Sequence, residues 1–205
     1  MKTVVALSSA SFQRNETLKL DQFLLSRIQK KHPKIVLIHA ASHDDQGYAK
    51  RFKQYFRQFD CEVEAIRLWH TKLYYREIWE MLLEADMIFL GPGDTPALME
   101  RIETFQLVSC LKEAYQQGII IYGLSAGANV LFDYGYSDVD GNMEMVKGIG
   151  LLEGAFCPHA QQAKRQDFKR QCETLNITPT YALQDYAGLI VMDDKLNEFT
   201  INEEI

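Results

Sequence analysis

The sequence has few cysteines and no clustered histidines. Its four cysteines are scattered over 205 residues without a C-x-x-C pair. Because each lies in a segment predicted as strand or helix, we expect buried thiols, with neither disulfides nor zinc. The five histidines form no H-E-x-x-H or H-x-H cluster. The sequence therefore predicts no metal site and no cofactor.

Long apolar runs and an excess of positive charge are also missing. No apolar stretch approaches the length needed to cross a bilayer, and the run TVVALSS near the start is too short for the hydrophobic region of a signal peptide. The formal net charge of −6 argues against a main task of holding nucleic acid or an anionic membrane. We therefore expect a cytoplasmic protein that acts on a small solute.

Apolar runs of strand length alternate with helix-length segments through the first 130 residues. Continuous rather than alternating hydrophobicity indicates strands covered on both faces, as in a parallel sheet with right-handed crossovers. The predicted fold is a three-layer α/β sandwich with a mostly parallel sheet, in one domain spanning 1–205. Shorter pieces after Asp138 predict antiparallel additions that finish the same sheet. The five runs are 3–9, 34–40, 61–69, 86–91 and 119–123.

The fifth apolar run continues directly into Gly-Leu-Ser-Ala-Gly. The pattern Gly123-x-Ser125-x-Gly127 is typical of a sharp turn from a buried strand to a helix that pushes the serine outward. Small residues also gather where a strand and a helix pack closely, so the pattern alone does not establish a nucleophile. Ser125 becomes a candidate nucleophile only if a base, an acid and oxyanion donors accompany it.

A second glycine-containing turn, GPGDTP, follows the fourth apolar run. It lacks the G-x-G-x-x-G fingerprint and the P-loop lysine, which argues against a phosphate site. Ligands in such sheets bind beyond the carboxyl ends of the strands, where this turn and the serine turn both fall. The backbone N–H groups of Gly93 and Ala126 are therefore the predicted oxyanion hole.

His159 is the predicted general base. It closes the short apolar strand GAFCPHA downstream of the serine, at the expected functional edge. The acid candidates are Asp138 and Asp140, just beyond the segment that follows Ser125, whereas Asp133 is expected to cap a helix. The remaining histidines are interpreted as surface or cap residues: His32, His39, His43 and His70.

These motifs together resemble the peptidase E family, serine peptidases of the aspartyl dipeptidase type that include cyanophycinases. The resemblance rests on GPGDT, GLSAGAN, YSD, KGIGLLEGAFCPH and YALQDYAGLIVMDD, and it covers nearly the whole chain. It implies a fold similar to class I glutamine amidotransferases, with a serine at the position of their elbow cysteine. It also implies a catalytic triad of Ser125, His159 and Asp138, with Asp140 as the alternative acid.

The resemblance further implies cleavage of small peptides, specifically dipeptides with an N-terminal aspartate. We expect the protein to be a monomer or a homodimer. A substrate carboxylate then needs a local cation in this acidic chain. We assign Arg165 this role because its planar fork grips carboxylates and it lies close to His159 in sequence. The alternatives are an esterase or amidase for small acyl substrates, or a catalytically idle member that binds a metabolite or a partner. The other cations of the segment are Lys164, Lys169 and Arg170.

Overall fold

Two β-sheets of unequal size organise the protein, seen here in a computed structural model that describes residues 2–201. Within these residues the larger sheet has seven strands and the smaller has four. In chain order the strands are β1 (Thr3–Leu7), β2 (Lys34–Ile38), β3 (Glu62–Ile66), β4 (Met87–Leu90), β5 (Ile120–Leu124), β6 (Phe132–Val139), β7 (Asn142–Lys147), β8 (Leu152–Cys157), β9 (Thr180–Ala182), β10 (Ala187–Met192) and β11 (Lys195–Thr200).

The larger sheet has the strand order β11-β10-β1-β5-β4-β2-β3. Its five N-terminal strands run parallel, and β10 joins β1 in antiparallel orientation with β11 outside it. Every residue of β1, β4 and β5 is buried. This burial on both faces explains why these segments read as continuous apolar runs, and it confirms the predicted mostly parallel sheet.

Helices cover both faces of the larger sheet. On one face α1 and α2 pack over an aromatic-rich core, and on the other α3, α4 and α5 cover a mainly aliphatic one. Among the described helices, none combines the length and the apolar character that a membrane span requires. The helices are α1 (Leu18–Ser26), α2 (Gln46–Arg57), α3 (Tyr75–Leu83), α4 (Thr95–Thr104), α5 (Leu107–Gln116), α6 (Ala126–Asn129) and α7 (Phe168–Leu175).

The smaller sheet corrects the prediction for the C-terminal third. We expected all of its strands to finish the first sheet, but only β10 and β11 do so. The others pair separately in the order β7-β6-β8-β9, with β8 and β9 parallel. Tyr136, Ala155, Cys157, Phe168 and Cys172 give this sheet and α7 a hydrophobic cluster of their own. That cluster lets the sheet form beside the first one rather than at its edge.

A carboxyl group on α1, that of Asp21, is buried in the core. Asp21 is 0% exposed, and its Oδ2 accepts hydrogen bonds from Thr17 at 2.6 Å and from the Tyr55 hydroxyl at 2.7 Å. Its Oδ1 is buried and has no hydrogen-bond partner among the described residues. Burial outweighs the two hydrogen bonds and raises the pKa of Asp21 to about 7. The four cysteines are also buried, as free thiols, in agreement with the prediction.

Candidate active site

Ser125 occupies a strained turn between β5 and α6. Its φ of 53° and ψ of −105° lie outside the regions that most residues adopt. A Cβ on Gly123 would come within 2.3 Å of the Gly127 carbonyl oxygen, and one on Gly127 within 2.0 Å of the Leu90 carbonyl oxygen. Both glycines are therefore required by close backbone packing. The turn has the form of a nucleophile elbow that presents the serine at the sheet edge.

His159 is brought to Ser125 from the smaller sheet. Its Nε2 lies 3.0 Å from the Ser125 Oγ, within hydrogen-bonding distance. The residue sits two positions beyond the end of β8, with a left-handed φ of 54°. Its backbone N–H donates to the Ser8 hydroxyl at 2.7 Å, just after β1. The two sheets therefore meet at this histidine, and Ser8 fixes its backbone.

Asp185 orients the other side of the imidazole ring. Its Oδ1 lies 2.5 Å from His159 Nδ1. The Gln161 side chain holds the same aspartate twice, donating to its Oδ2 and accepting from its backbone N–H. Partial burial alone would raise the pKa of Asp185, but hydrogen bonds from Ser9, His159 and Gln161 and the charge of the imidazole lower it below its usual range. The group is thus suited to remain a carboxylate beside a protonated imidazole.

The structure does not place the sequence-predicted acids at His159. Asp138 forms an ion pair with Lys164 at 2.9 Å and accepts from the backbone N–H of Gly141 at 2.9 Å. Asp140 lies in the turn between β6 and β7 with a φ of 51°. Both are held by a hairpin, because α6 ends at Asn129 and a strand replaces the expected longer helix. The acid position against His159 is held by Asp185 instead.

Asp133, expected at a helix end, lies within β6, where its carboxylate accepts from the backbone N–H of Gly154 at 2.8 Å. Asp185 lies in the segment YALQDYAGLIVMDD, which contributed to the resemblance but was not assigned a catalytic residue. What brings it to the site is the parallel pairing of β8 with β9, since His159 and Asp185 follow the carboxyl ends of these neighbouring strands. Detecting it from the sequence requires knowing that pairing.

The two predicted oxyanion donors lie in tightly held backbone. Gly93 has a φ of 139°, and a Cβ there would fall 2.1 Å from the Ala41 carbonyl oxygen. The next residue, Asp94, donates its N–H to that same carbonyl at 2.8 Å and caps α4 by accepting from Ala97 N–H at 2.8 Å. Ala126 is the first residue of α6, where backbone N–H groups have no partner inside the helix. Only glycine fits at position 93.

Arg165 is buried rather than displayed on the surface. It is 9% exposed, and its Nη1 donates to the Tyr136 carbonyl at 2.6 Å. Its Nε is buried with no hydrogen-bond partner among the described residues. Asn129, at the end of α6, also donates to the Tyr136 carbonyl, at 3.4 Å. The Arg165 guanidinium and the end of α6, the helix that follows Ser125, therefore both contact the Tyr136 carbonyl in β6.

The remaining cations and histidines of interest have other surroundings. Lys164 pairs with Asp138, Arg170 pairs with Asp167, and Lys169 is exposed on α7. The ring of His39 is buried, and the rings of the three other histidines contact groups elsewhere: Asp60 for His32, Trp69 for His43 and Asp44 for His70.

Comparison with known proteins shows similarity to peptidases in both sequence and structure. An uncharacterized peptidase of Bacillus subtilis (strain 168), YgaJ, is 30% identical over 199 residues, which is 96% of this chain and 86% of YgaJ. A candidate peptidase E protein of Listeria monocytogenes EGD-e has a similar structure, with a TM-score of 0.71 at 14% identity and 98% of each chain covered. A peptidase from an acI-B1 Actinobacterium gives 0.70 at 16% identity, covering 98% of this chain and 88% of its own.

The structural neighbours show the fold, which is the glutamine amidotransferase-like α/β sandwich that the sequence predicted. The sequence also matches Peptidase family S51 over residues 4–199, nearly the full length of the chain. With a peptidase as its full-length relative, the chain is itself a peptidase. It belongs to peptidase family S51.

Proposed function

We propose that this peptidase is a serine hydrolase that works through Ser125, His159 and Asp185. The observation that carries the proposal is the continuous chain of contacts from Ser125 Oγ to His159 Nε2 at 3.0 Å and from His159 Nδ1 to Asp185 at 2.5 Å. Nucleophile, base and orienting acid need this order of contacts, whatever the fold around them.

In the proposed mechanism His159 Nε2 takes the proton of Ser125 as Oγ attacks the amide carbonyl carbon. The carbonyl oxygen becomes an oxyanion, which the N–H groups of Gly93 and Ala126 stabilise. His159 then gives the proton to the leaving amine as the C–N bond breaks, leaving an acyl-enzyme. Water attacks this ester with the same base, and Asp185 holds the imidazole by accepting from Nδ1–H throughout.

For the substrate we propose dipeptides with an N-terminal aspartate, anchored by Arg165. Among the described residues no carboxylate lies within 4.0 Å of this guanidinium, although it is buried. A buried charge normally has a carboxylate in direct contact, so a buried guanidinium without one favours a ligand that brings a carboxylate. Lys164 and Arg170 are less suited because each already has a carboxylate partner.

A fluorophosphonate probe tests the nucleophile. We expect covalent labelling that maps to Ser125, together with release of free amine from a dipeptide library. Labelling with ester turnover but no amine release would favour an esterase. A folded protein that neither labels nor turns over any substrate would favour a binding module instead.

The substrate assignment is tested with a matched pair of peptides, Asp-Xaa and Asn-Xaa. We expect the Asp peptide to have the higher kcat/KM, and Arg165→Gln to narrow the difference chiefly by slowing the Asp peptide, by roughly tenfold or more. Lys169→Gln removes an exposed charge from the same segment and should leave the difference intact. An Asp preference unchanged by Arg165→Gln would exclude Arg165 as the anchor, and no preference in the parent protein would exclude the substrate class.

A further inference from the structure

An open groove rimmed by cationic side chains lies between α2 and β3, at the outer edge of the larger sheet. This α2–β3 groove has a volume of about 320 Å³, and His39, just after β2, is part of its lining. The charged side chains that line it are all cationic: Lys50, Lys53, Arg57 and Arg67. None of the lining residues belongs to the site at Ser125.

His39 is a buried polar group without a partner. The residue is 1% exposed, and neither ring nitrogen has a hydrogen-bond partner among the described residues. Burial lowers the pKa of His39, and Arg67 and Lys53 lower it further, against the opposing effects of Asp44 and Asp45. The neutral ring still has one N–H donor and one acceptor nitrogen. Leaving both unsatisfied costs free energy unless a ligand supplies partners.

The cations that line the groove form no ion pair with the described residues. In the described part of the chain, none of the four lies within 4.0 Å of a carboxylate. When the Gln46 amide is oriented to satisfy its neighbours, its oxygen accepts from both Nη1 and Nη2 of Arg67 at 3.2 Å. This contact holds the guanidinium at the groove and leaves its charge uncompensated.

The nearby carboxylates are occupied elsewhere. Asp44 accepts from the backbone N–H of Trp69 at 2.7 Å and contacts His70, and Asp45 caps α2 by accepting from Tyr48 N–H at 2.9 Å. An anion entering the groove would therefore meet cations whose charge the protein has not cancelled.

We propose that the α2–β3 groove binds a small phosphate-bearing molecule, with Lys53 and Arg67 neutralising the phosphate and His39 donating a hydrogen bond to it. Four cations exceed what one carboxylate requires, whereas a phosphate dianion offers two charges and several acceptor oxygens. The volume suits a phosphorylated metabolite rather than a polymer. The site is independent of the proposed hydrolysis, because it shares no residue with the Ser125 site.

The test is a titration of protein carrying 15N-labelled histidine with inorganic phosphate and with ribose 5-phosphate, followed by NMR. The His39 ring signal is identified by its loss in His39→Asn. We expect it to shift and saturate with both probes. Lys53→Gln/Arg67→Gln should weaken binding by about tenfold or more, because two charge-assisted contacts are lost.

Lys19→Gln/Lys169→Gln is the matched control, since it removes two positive charges from exposed sites on α1 and α7. It should change the apparent Kd by less than about twofold, the expectation for exposed charges remote from the ligand. Equal weakening in both double variants would reduce the effect to net charge and overturn the proposal. A His39 signal that does not saturate with either probe, or that responds to acetate with the affinity seen for phosphate, would overturn it as well.

Discussion

Two histidines at the functional edge of this protein have opposite surroundings. In the Ser125 site, both ring nitrogens of His159 contact side chains of the chain itself. In the α2–β3 groove, neither ring nitrogen of His39 has a partner among the described residues. The first ring is positioned before any substrate arrives. The second lacks such partners and carries an energetic cost that a ligand would remove.

The largest expected effect comes from removing the nucleophile. Ser125→Ala keeps the Cβ that the turn accommodates, so the protein should fold, while kcat/KM for peptide cleavage should fall by about 10⁴-fold or more. Adding His159→Ala to the same protein should cause little further loss, because the two residues act as a unit. The His39 response to phosphate should be unchanged. Losses that add would mean that Ser125 and His159 act separately, and a lost phosphate response would mean that the Ser125 site and the α2–β3 groove are coupled.

The next effect concerns the residue that orients His159. Asp185→Asn should lower kcat by about 10²- to 10⁴-fold, because the amide no longer stabilises the imidazolium or its tautomer. Asp138→Asn is the matched control and should change kcat by less than about threefold, since its carboxylate lies on the β6–β7 hairpin and pairs with the exposed Lys164. Steady-state kinetics on one peptide decides between them. A greater loss in Asp138→Asn would return the acid role to that residue.

The smallest effect tests the cost of the unpartnered ring. His39→Leu replaces a buried polar side chain by an apolar one of similar volume, and it should raise the free energy of unfolding of the ligand-free protein by about 1 kcal/mol. Urea denaturation in phosphate-free buffer measures this. His70→Leu is a suitable control, because that ring is half-exposed and already contacts Asp44. A protein destabilised by His39→Leu would show that the ring has a structural role instead.

The sequence predicted the parallel strands of the larger sheet, and physical reasons explain why it did not predict the smaller sheet. Strands β1, β2, β4 and β5 are covered on both faces, so their apolar runs are visible without any knowledge of their neighbours. The smaller sheet is different. Strand β7 alternates exposed and half-buried residues, and β9 has only three residues, so neither carries a strong pattern. Which sheet such strands join is decided by tertiary packing.

The same distinction applies to the Ser125 site. Ser125 was recognisable because the turn itself demands glycines at 123 and 127, and His159 because it ends an apolar strand. Asp185 lies in YALQDYAGLIVMDD, one of the segments that carry the resemblance, but its contact with His159 depends on β8 pairing with β9, about 25 residues further along the chain, and the sequence does not show that pairing. The YSD motif of the resemblance favoured Asp138, whose carboxylate the β6–β7 hairpin instead directs to Lys164.

The buried Asp21 has a consequence for the pH dependence of folding. Its pKa is about 7 in the folded protein, against 3.8 for an ordinary aspartate. The folded state therefore keeps a proton that the unfolded chain releases, so the stability that this group contributes is full below about pH 4 and is lost as pH rises towards 7. Between pH 5 and pH 8 the free energy of unfolding should fall by about 2 to 3 kcal/mol on account of this one group.

Asp21→Asn removes the proton linkage while keeping an oxygen for Thr17 and Tyr55, so urea denaturation at pH 5 and pH 8 should show a clearly smaller fall than in the parent protein. Asp138→Asn, at an exposed carboxylate, should retain the full fall. An equal fall in the free energy of unfolding between pH 5 and pH 8 for the parent protein and Asp21→Asn would mean that the pKa of Asp21 is not raised by folding. Through this linkage, the buried Asp21 contributes more to the free energy of unfolding on the acid side of neutrality than on the basic side.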